Sequence, residues 1–110
     1  MRHALILLLM ELKELEARMH AFVAKKGWYE ADSPKPQTPR NIAASLTIEA
    51  AEILEHFQWH EDVKDKAGLA GELADVALYL LQLASVTGID LEQAILDKLA
   101  RNQGREWPAP

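Results

Sequence analysis

The sequence predicts an all-α fold, four helices around one core in a single domain over residues 1–110. Three observations carry that expectation. Apolar residues recur at intervals of three and four along four separate stretches, no segment alternates apolar and polar residues over strand length, and start and stop signals for helices punctuate the segments between. A chain of 110 residues buries roughly two-thirds of its unfolded surface. That suffices for a compact core but is tight for an enclosed pocket, so the bundle is expected to be completed by oligomerisation.

The first helix is expected from about Ala4 to Lys26, with Leu5, Leu8, Leu9, Leu12, Leu15, Met19 and Phe22 on one broad face and Gly27 ending it. Its basic tip and the apolar run from Ala4 to Met10 resemble a secretory leader, but the run is short, lacks a small-residue cleavage site, and passes directly into charged amphipathic helix. We read it as the first turns of a folded helix whose surplus of leucine suits packing on two sides, including against another subunit. Trp28 and Tyr29 follow, either as a plug on the helix end or as a wall for a flat ligand.

Glu30 to Thr38 reads as a Pro-rich polar loop, and Thr38 with Pro39 as the cap and first residue of a second helix reaching Trp59 or His60. Arg40 near that N-terminus opposes the helix dipole, so it is either an exposed arginine or a contact for an anion. The polar segment HEDVKDKAG then turns the chain. A third helix is expected from about Leu69 to Val86, closed by Gly88, and Asp90 with Gln93 resembles a capping box for a fourth, Leu91 to Gln103. Lys98, Arg101, Asn102 and Arg105 give that last element a basic, hydrogen-bonding side, the usual form of a solvated face.

Composition narrows the function. With 49% hydrophobic and 26% charged residues the chain has the balance of a soluble globular protein, and a net charge of -5 argues against a general nucleic-acid binder. No membrane partner is expected. The absence of cysteine excludes disulfides and thiolate zinc sites and is compatible with a cytoplasmic location, while His3, His20, His56 and His60 lack H-E-x-x-H spacing.

The chemistry concentrates in acids. Glu49, Glu52 and Glu55 stand three residues apart in the second helix, within an arc of roughly 120° at ~100° per residue. Glu72 and Asp75 repeat the spacing in the third helix, again among Leu, Ala and Val. Such carboxylates either form the solvated side of amphipathic helices or converge on a cation, because burying them together costs several kcal/mol per ion without one. Hard oxygen ligands suit Mg²⁺ or Mn²⁺. Trp59 lies seven residues after Glu52 and Tyr79 one turn beyond Asp75, positions that serve a core or flank the acids.

Taken together, Glu49-x-x-Glu52-x-x-Glu55, the PRN before it and the FQW after it, Glu72-x-x-Asp75 with Tyr79, and Lys98-x-x-x-Asn102 resemble the MazG-like nucleoside triphosphate pyrophosphohydrolases, closest to their dCTP pyrophosphatase branch. The resemblance covers about Trp28 to Trp107. It implies a MazG-like bundle, a homodimer or homotetramer, and Mg²⁺-dependent hydrolysis of (deoxy)nucleoside triphosphates to monophosphate and pyrophosphate in nucleotide-pool housecleaning. A preference for dCTP or a modified pyrimidine goes with that branch. By position, it implies Glu49, Glu52, Glu72 and Asp75 as metal ligands and Glu55 as an assistant to a second metal or water. It further implies Trp28, Trp59 and Tyr79 around base and sugar, and Lys98 and Asn102 on the nucleotide, with Lys98 suited to phosphate and to the chemical step. Arg40 sits in the matching PRN. The Trp28–Pro39 loop is longer than in relatives, and His20 only nearly matches a family histidine.

Two other readings compete. A di-iron carboxylate bundle needs Glu-x-x-His twice, and no histidine here lies three residues after a glutamate. A non-catalytic helical dimerisation or interaction module would leave all these acids in solvent.

Overall fold

The computed structural model describes residues 11–106. Four helices and no strand occur among them: α1 (Leu12–Lys25), α2 (Pro39–Glu55), α3 (Lys66–Val86) and α4 (Leu91–Gln103). The predicted all-α class and order of elements are therefore present. The apolar run from Ala4 to Met10, and with it Leu5, Leu8 and Leu9, lies outside the described residues.

The helix ends follow from local chemistry. Gly27 takes φ 76°, a left-handed conformation open to glycine, which lets the Trp28 N–H turn back to the Val23 carbonyl at 3.2 Å. Gly88 does the same for α3 with φ 74°, and Ile89 N–H reaches the Ala84 carbonyl at 2.8 Å. Thr38 caps α2 by accepting from Asn41 N–H at 3.2 Å, with Pro39 in the first turn. Asp90 caps α4 through Gln93 N–H at 3.1 Å, but the Gln93 amide runs forward to Asp97 at 2.9 Å, so the expected reciprocal box is only half formed.

Three boundaries differ from the sequence expectation. α1 begins at Leu12, because Glu11 is extended with φ -73° and ψ 158° and interrupts the single helix expected from about Ala4 to Lys26. α2 stops at Glu55, because His56, Phe57 and Gln58 N–H groups bond the carbonyls three residues back and tighten the chain into turns. Trp59 is therefore not on the helix, and its helical phase with Glu52 does not exist. α3 begins at Lys66, one turn before Leu69, because the Asp65 carboxylate accepts from Gly68 N–H at 2.9 Å.

α3 is the central element: α2 packs along it most extensively, and α1 and α4 also rest on it. Met19, Val23 and Leu81 form a buried cluster, with Leu12, Trp28 and Leu91 packed against it, and Ile42 is the most deeply enclosed large side chain at 1% exposure. This core is small. Ile48, Leu54, Trp59, Leu73, Leu96 and Leu99 are all more than half exposed within one protomer. α3 is also long and apolar enough to pass as a membrane span by length and composition, but it carries Glu72 and Asp75 near its middle, where lipid would penalise both.

Candidate active site

The α2–α3 contact sets two rows of acids facing one another. Oxygens of Glu49 on α2 and of Glu72 and Asp75 on α3 all lie within 4.8 Å of one another. Glu49 and Glu72 are partly buried and Asp75 is exposed. Glu52 stands outside that tight group yet is close enough to act on Glu49. Burial foremost, then side-chain hydrogen bonding with Glu72 and Glu52, then the negative charges of Glu52 and Asp75, push the Glu49 carboxyl from 4.5 up to about 7. A raised proton affinity at Glu49 relieves part of the repulsion among these acids.

One atom of this cluster is left unsatisfied. Glu72 Oε2 is buried and makes no hydrogen bond among the described residues, a state that normally costs ~1–3 kcal/mol. Three converging carboxylates, an orphaned buried oxygen and an elevated proton affinity together fit a hard divalent cation, which would satisfy the oxygen and displace the proton. Residues Glu49, Glu72 and Asp75 would hold it, with Glu52 adjoining.

Asp75 also lines a cavity of about 560 Å³ between α1, α2, α3 and the loop after α1. Its walls include Trp28, Tyr79, Leu78 and Ile42, with Asn41, Ser45 and Gln82 as polar groups. Trp28 both packs on the core cluster and lines the cavity. Phe22 meets it edge-on at 5.8 Å between centroids, and Lys35 lies 4.9 Å above its ring. The long loop is part of this wall. It is tied down by Lys35 N–H to Ser33 Oγ at 3.0 Å, Gln37 Nε2 to the Lys35 carbonyl at 2.7 Å and Asn41 Nδ2 to the Pro36 carbonyl at 2.9 Å.

The other sequence candidates fall elsewhere. Trp59 is 86% exposed and does not line the cavity. Arg40 is exposed beside Asn41 without reaching the cavity wall, and Lys98 is exposed on α4. Asn102 is partly buried, and its Oδ1 has no hydrogen-bond partner among the described residues. Glu55 is exposed at the end of α2 in a separate shallow hollow with Leu54 and Phe57.

Sequence reasoning passed over a polar chain behind the cavity. His20 Nδ1 meets Tyr29 Oη at 2.5 Å and His20 Nε2 meets Ser85 Oγ at 2.7 Å, while Gln82 Nε2 donates to Tyr29 Oη at 3.3 Å and to Gln37 Oε1 at 2.8 Å. The available signal was a lone glutamine inside LYLLQLA, seven residues after Asp75 and so on its face of α3.

The family model described as MazG-like matches residues 44–109, which contain every acid of the cluster. The chain belongs to the MazG-like family. Among curated relatives, mouse dCTP pyrophosphatase 1 is 36% identical over 98 residues, covering 80% of this chain and 55% of that protein. The chain thus spans about half the length of the mammalian relatives it matches. The dATP/dGTP diphosphohydrolase of cyanophage S-2L is 31% identical over 94 residues, covering 86% of this chain and 75% of that one. Among solved structures, a pyrophosphatase from Archaeoglobus fulgidus superimposes with a TM-score of 0.74 at 33% identity, over 92% of this chain and 95% of its own. Trp28 and the loop that follows lie outside the part matched by the family model, yet they complete the cavity.

Proposed function

We propose that this chain is a divalent-metal-dependent nucleoside triphosphate pyrophosphohydrolase. One observation carries the reading: Asp75 belongs at once to the carboxylate cluster and to the wall of a nucleotide-sized cavity lined by Trp28 and Tyr79. The relatives named for dCTP and for dATP or dGTP support the same chemistry. A hard cation such as Mg²⁺ supplies positive charge for a polyanionic substrate and acidity for a water molecule.

In this reading Glu49, Glu52, Glu72 and Asp75 form the metal-holding set, and Trp28 and Tyr79 sandwich or flank the base. Water attacks the α-phosphorus, and the bond from that phosphorus to the bridging oxygen of the β,γ-diphosphate breaks. The water oxygen stays on the monophosphate, one proton is released, and pyrophosphate leaves. Lys98 and Asn102 contribute to phosphate and nucleotide contacts, Arg40 and Glu55 assist at the margin, and the substrate is a free nucleotide in the cytoplasm.

Assembly belongs to the same proposal. The exposed apolar residues of α2, α3 and the turn after α2 are suited to a second copy of the chain, as homodimer or homotetramer. Trp59 reaches a nucleotide only within such an assembly, since it stands off the cavity of its own protomer. The deciding experiment is a panel of canonical and modified ribo- and deoxyribonucleoside triphosphates with Mg²⁺, scored for pyrophosphate. Release of inorganic phosphate alone, or no turnover of any member, would overturn the assignment.

A further inference from the structure

Among the described residues Gln82 is the buried polar side chain, 2% exposed, and it lines the cavity. The orientation of its amide is fixed from the surface inward. The Lys35 carbonyl can only accept, so the group facing it at 2.7 Å is the Gln37 amide nitrogen. That turns Gln37 Oε1 toward Gln82, which must answer with its own nitrogen at 2.8 Å. The second hydrogen of the same nitrogen goes to Tyr29 Oη at 3.3 Å. Tyr29 Oη is in turn hydrogen-bonded to His20 Nδ1, and His20 Nε2 to Ser85 Oγ.

Both amide hydrogens of Gln82 are therefore spent within the protein, and its Oε1 makes no hydrogen bond among the described residues. The side chain is buried, but its unpartnered oxygen is not among the enclosed unsatisfied atoms and so stays accessible; an acceptor held in one orientation beside an aromatic-walled cavity is a reader of donors. We propose that Gln82 Oε1 accepts a hydrogen bond from an exocyclic amino group of the nucleobase. The cavity then selects 4-aminopyrimidines and 6-aminopurines over their 4-oxo and 6-oxo counterparts, whose carbonyl oxygen would face a second acceptor. Gln37 is the positioning residue, since it denies the amide the flipped orientation. This rests on the nucleotide reading above and goes past it to the chemical group that is recognised.

The test is calorimetric titration with the monophosphate pairs dCMP and dUMP, and dAMP and dIMP, in Mg²⁺, alongside turnover of the corresponding triphosphates. The wild-type chain is expected to bind the amino member of at least one pair roughly tenfold to a hundredfold more tightly, because the oxo member sets a carbonyl oxygen against the Gln82 acceptor as the site closes around the base. Gln82→Met, close in shape and without the amide, should bring that ratio near unity. Gln37→Met, altering only the partly buried loop residue, should lower it partway by freeing the amide to turn, and it keeps the idea testable if Gln82→Met does not fold. Equal binding of both members of each pair by the wild type, or a ratio unchanged in either folded variant, overturns the role of Gln82. Pyrophosphate release without amino selectivity overturns it while leaving the proposed activity standing. Amino-selective monophosphate binding without turnover of any triphosphate supports Gln82 and removes the activity.

Discussion

Replacing Glu49 by Gln isolates the charge conflict at the centre of the cluster. The folded chain holds a proton on Glu49 up to about pH 7, whereas the unfolded chain releases it near 4.5. Stability from this group is therefore complete below 4.5 and is lost as pH rises through about 7. At ~1.4 kcal/mol per pH decade the interval sets an upper bound of ~3.5 kcal/mol, and screening at a partly exposed site leaves ~1 kcal/mol. For a domain of this size that corresponds to about 4–8 °C in Tm. The assay is differential scanning calorimetry of metal-free protein between pH 5 and pH 8. Wild type should lose those degrees across the window and Glu49→Gln should not, so that the variant is the more stable of the two at pH 8. Mg²⁺ should recover the loss in wild type at pH 8 and do little for the variant. Identical pH slopes for the two proteins, which share every histidine, would refute the account of Glu49.

Asp75→Asn should abolish turnover, at least a hundredfold in kcat/KM, while raising metal-free Tm at pH 8; near-wild-type activity at saturating Mg²⁺ would remove Asp75 from the metal-holding set. Tyr79→Ala and Trp28→Ala should each raise KM by roughly tenfold to a hundredfold, the worth of a stacked base, and Trp28→Ala should also lower Tm because it empties part of the core. Lys98→Ala should lower kcat/KM for every nucleotide without changing their rank order, and a reordered panel would place it at the base. Trp59→Ser should weaken self-association in light scattering and raise KM together; an unchanged assembly with unchanged kinetics would leave Trp59 without a part in either.

How much of this the residues announced depends on how local the determining physics is. Glu49, Glu72 and Asp75 were legible because helical spacing alone puts Glu72 and Asp75 on one face, and acids in apolar helices need a counter-charge. Thr38–Pro39 and Gly88 were legible because capping is decided within a few residues. The tight grouping of Glu49 rather than Glu52 with α3 was not, since it depends on how α2 rotates against its neighbour. Trp59 was misplaced for a related reason: three short-range bonds after Glu55 end the helix, and every phase argument beyond that point lapses. Gln82 escaped because its meaning lies in Gln37 and Tyr29, which are 45 and 53 residues away in sequence.

Glu72, Asp75, Tyr79 and Gln82 all stand on α3, an uninterrupted helix without proline. At ~1.5 Å per residue the first and last are about 15 Å apart along its axis. The helix is thus a ruler whose divisions are set by backbone hydrogen bonds and not by loop conformation. Inserting a single residue between Asp75 and Gln82 would add little length but swing the amide by ~100° out of register with the acids. Under the proposed reading, a nucleotide reaching from the Gln82 amide to the acids is gauged against a fixed length, which only a change of the side chains on the ruler could alter, since its spacing cannot stretch.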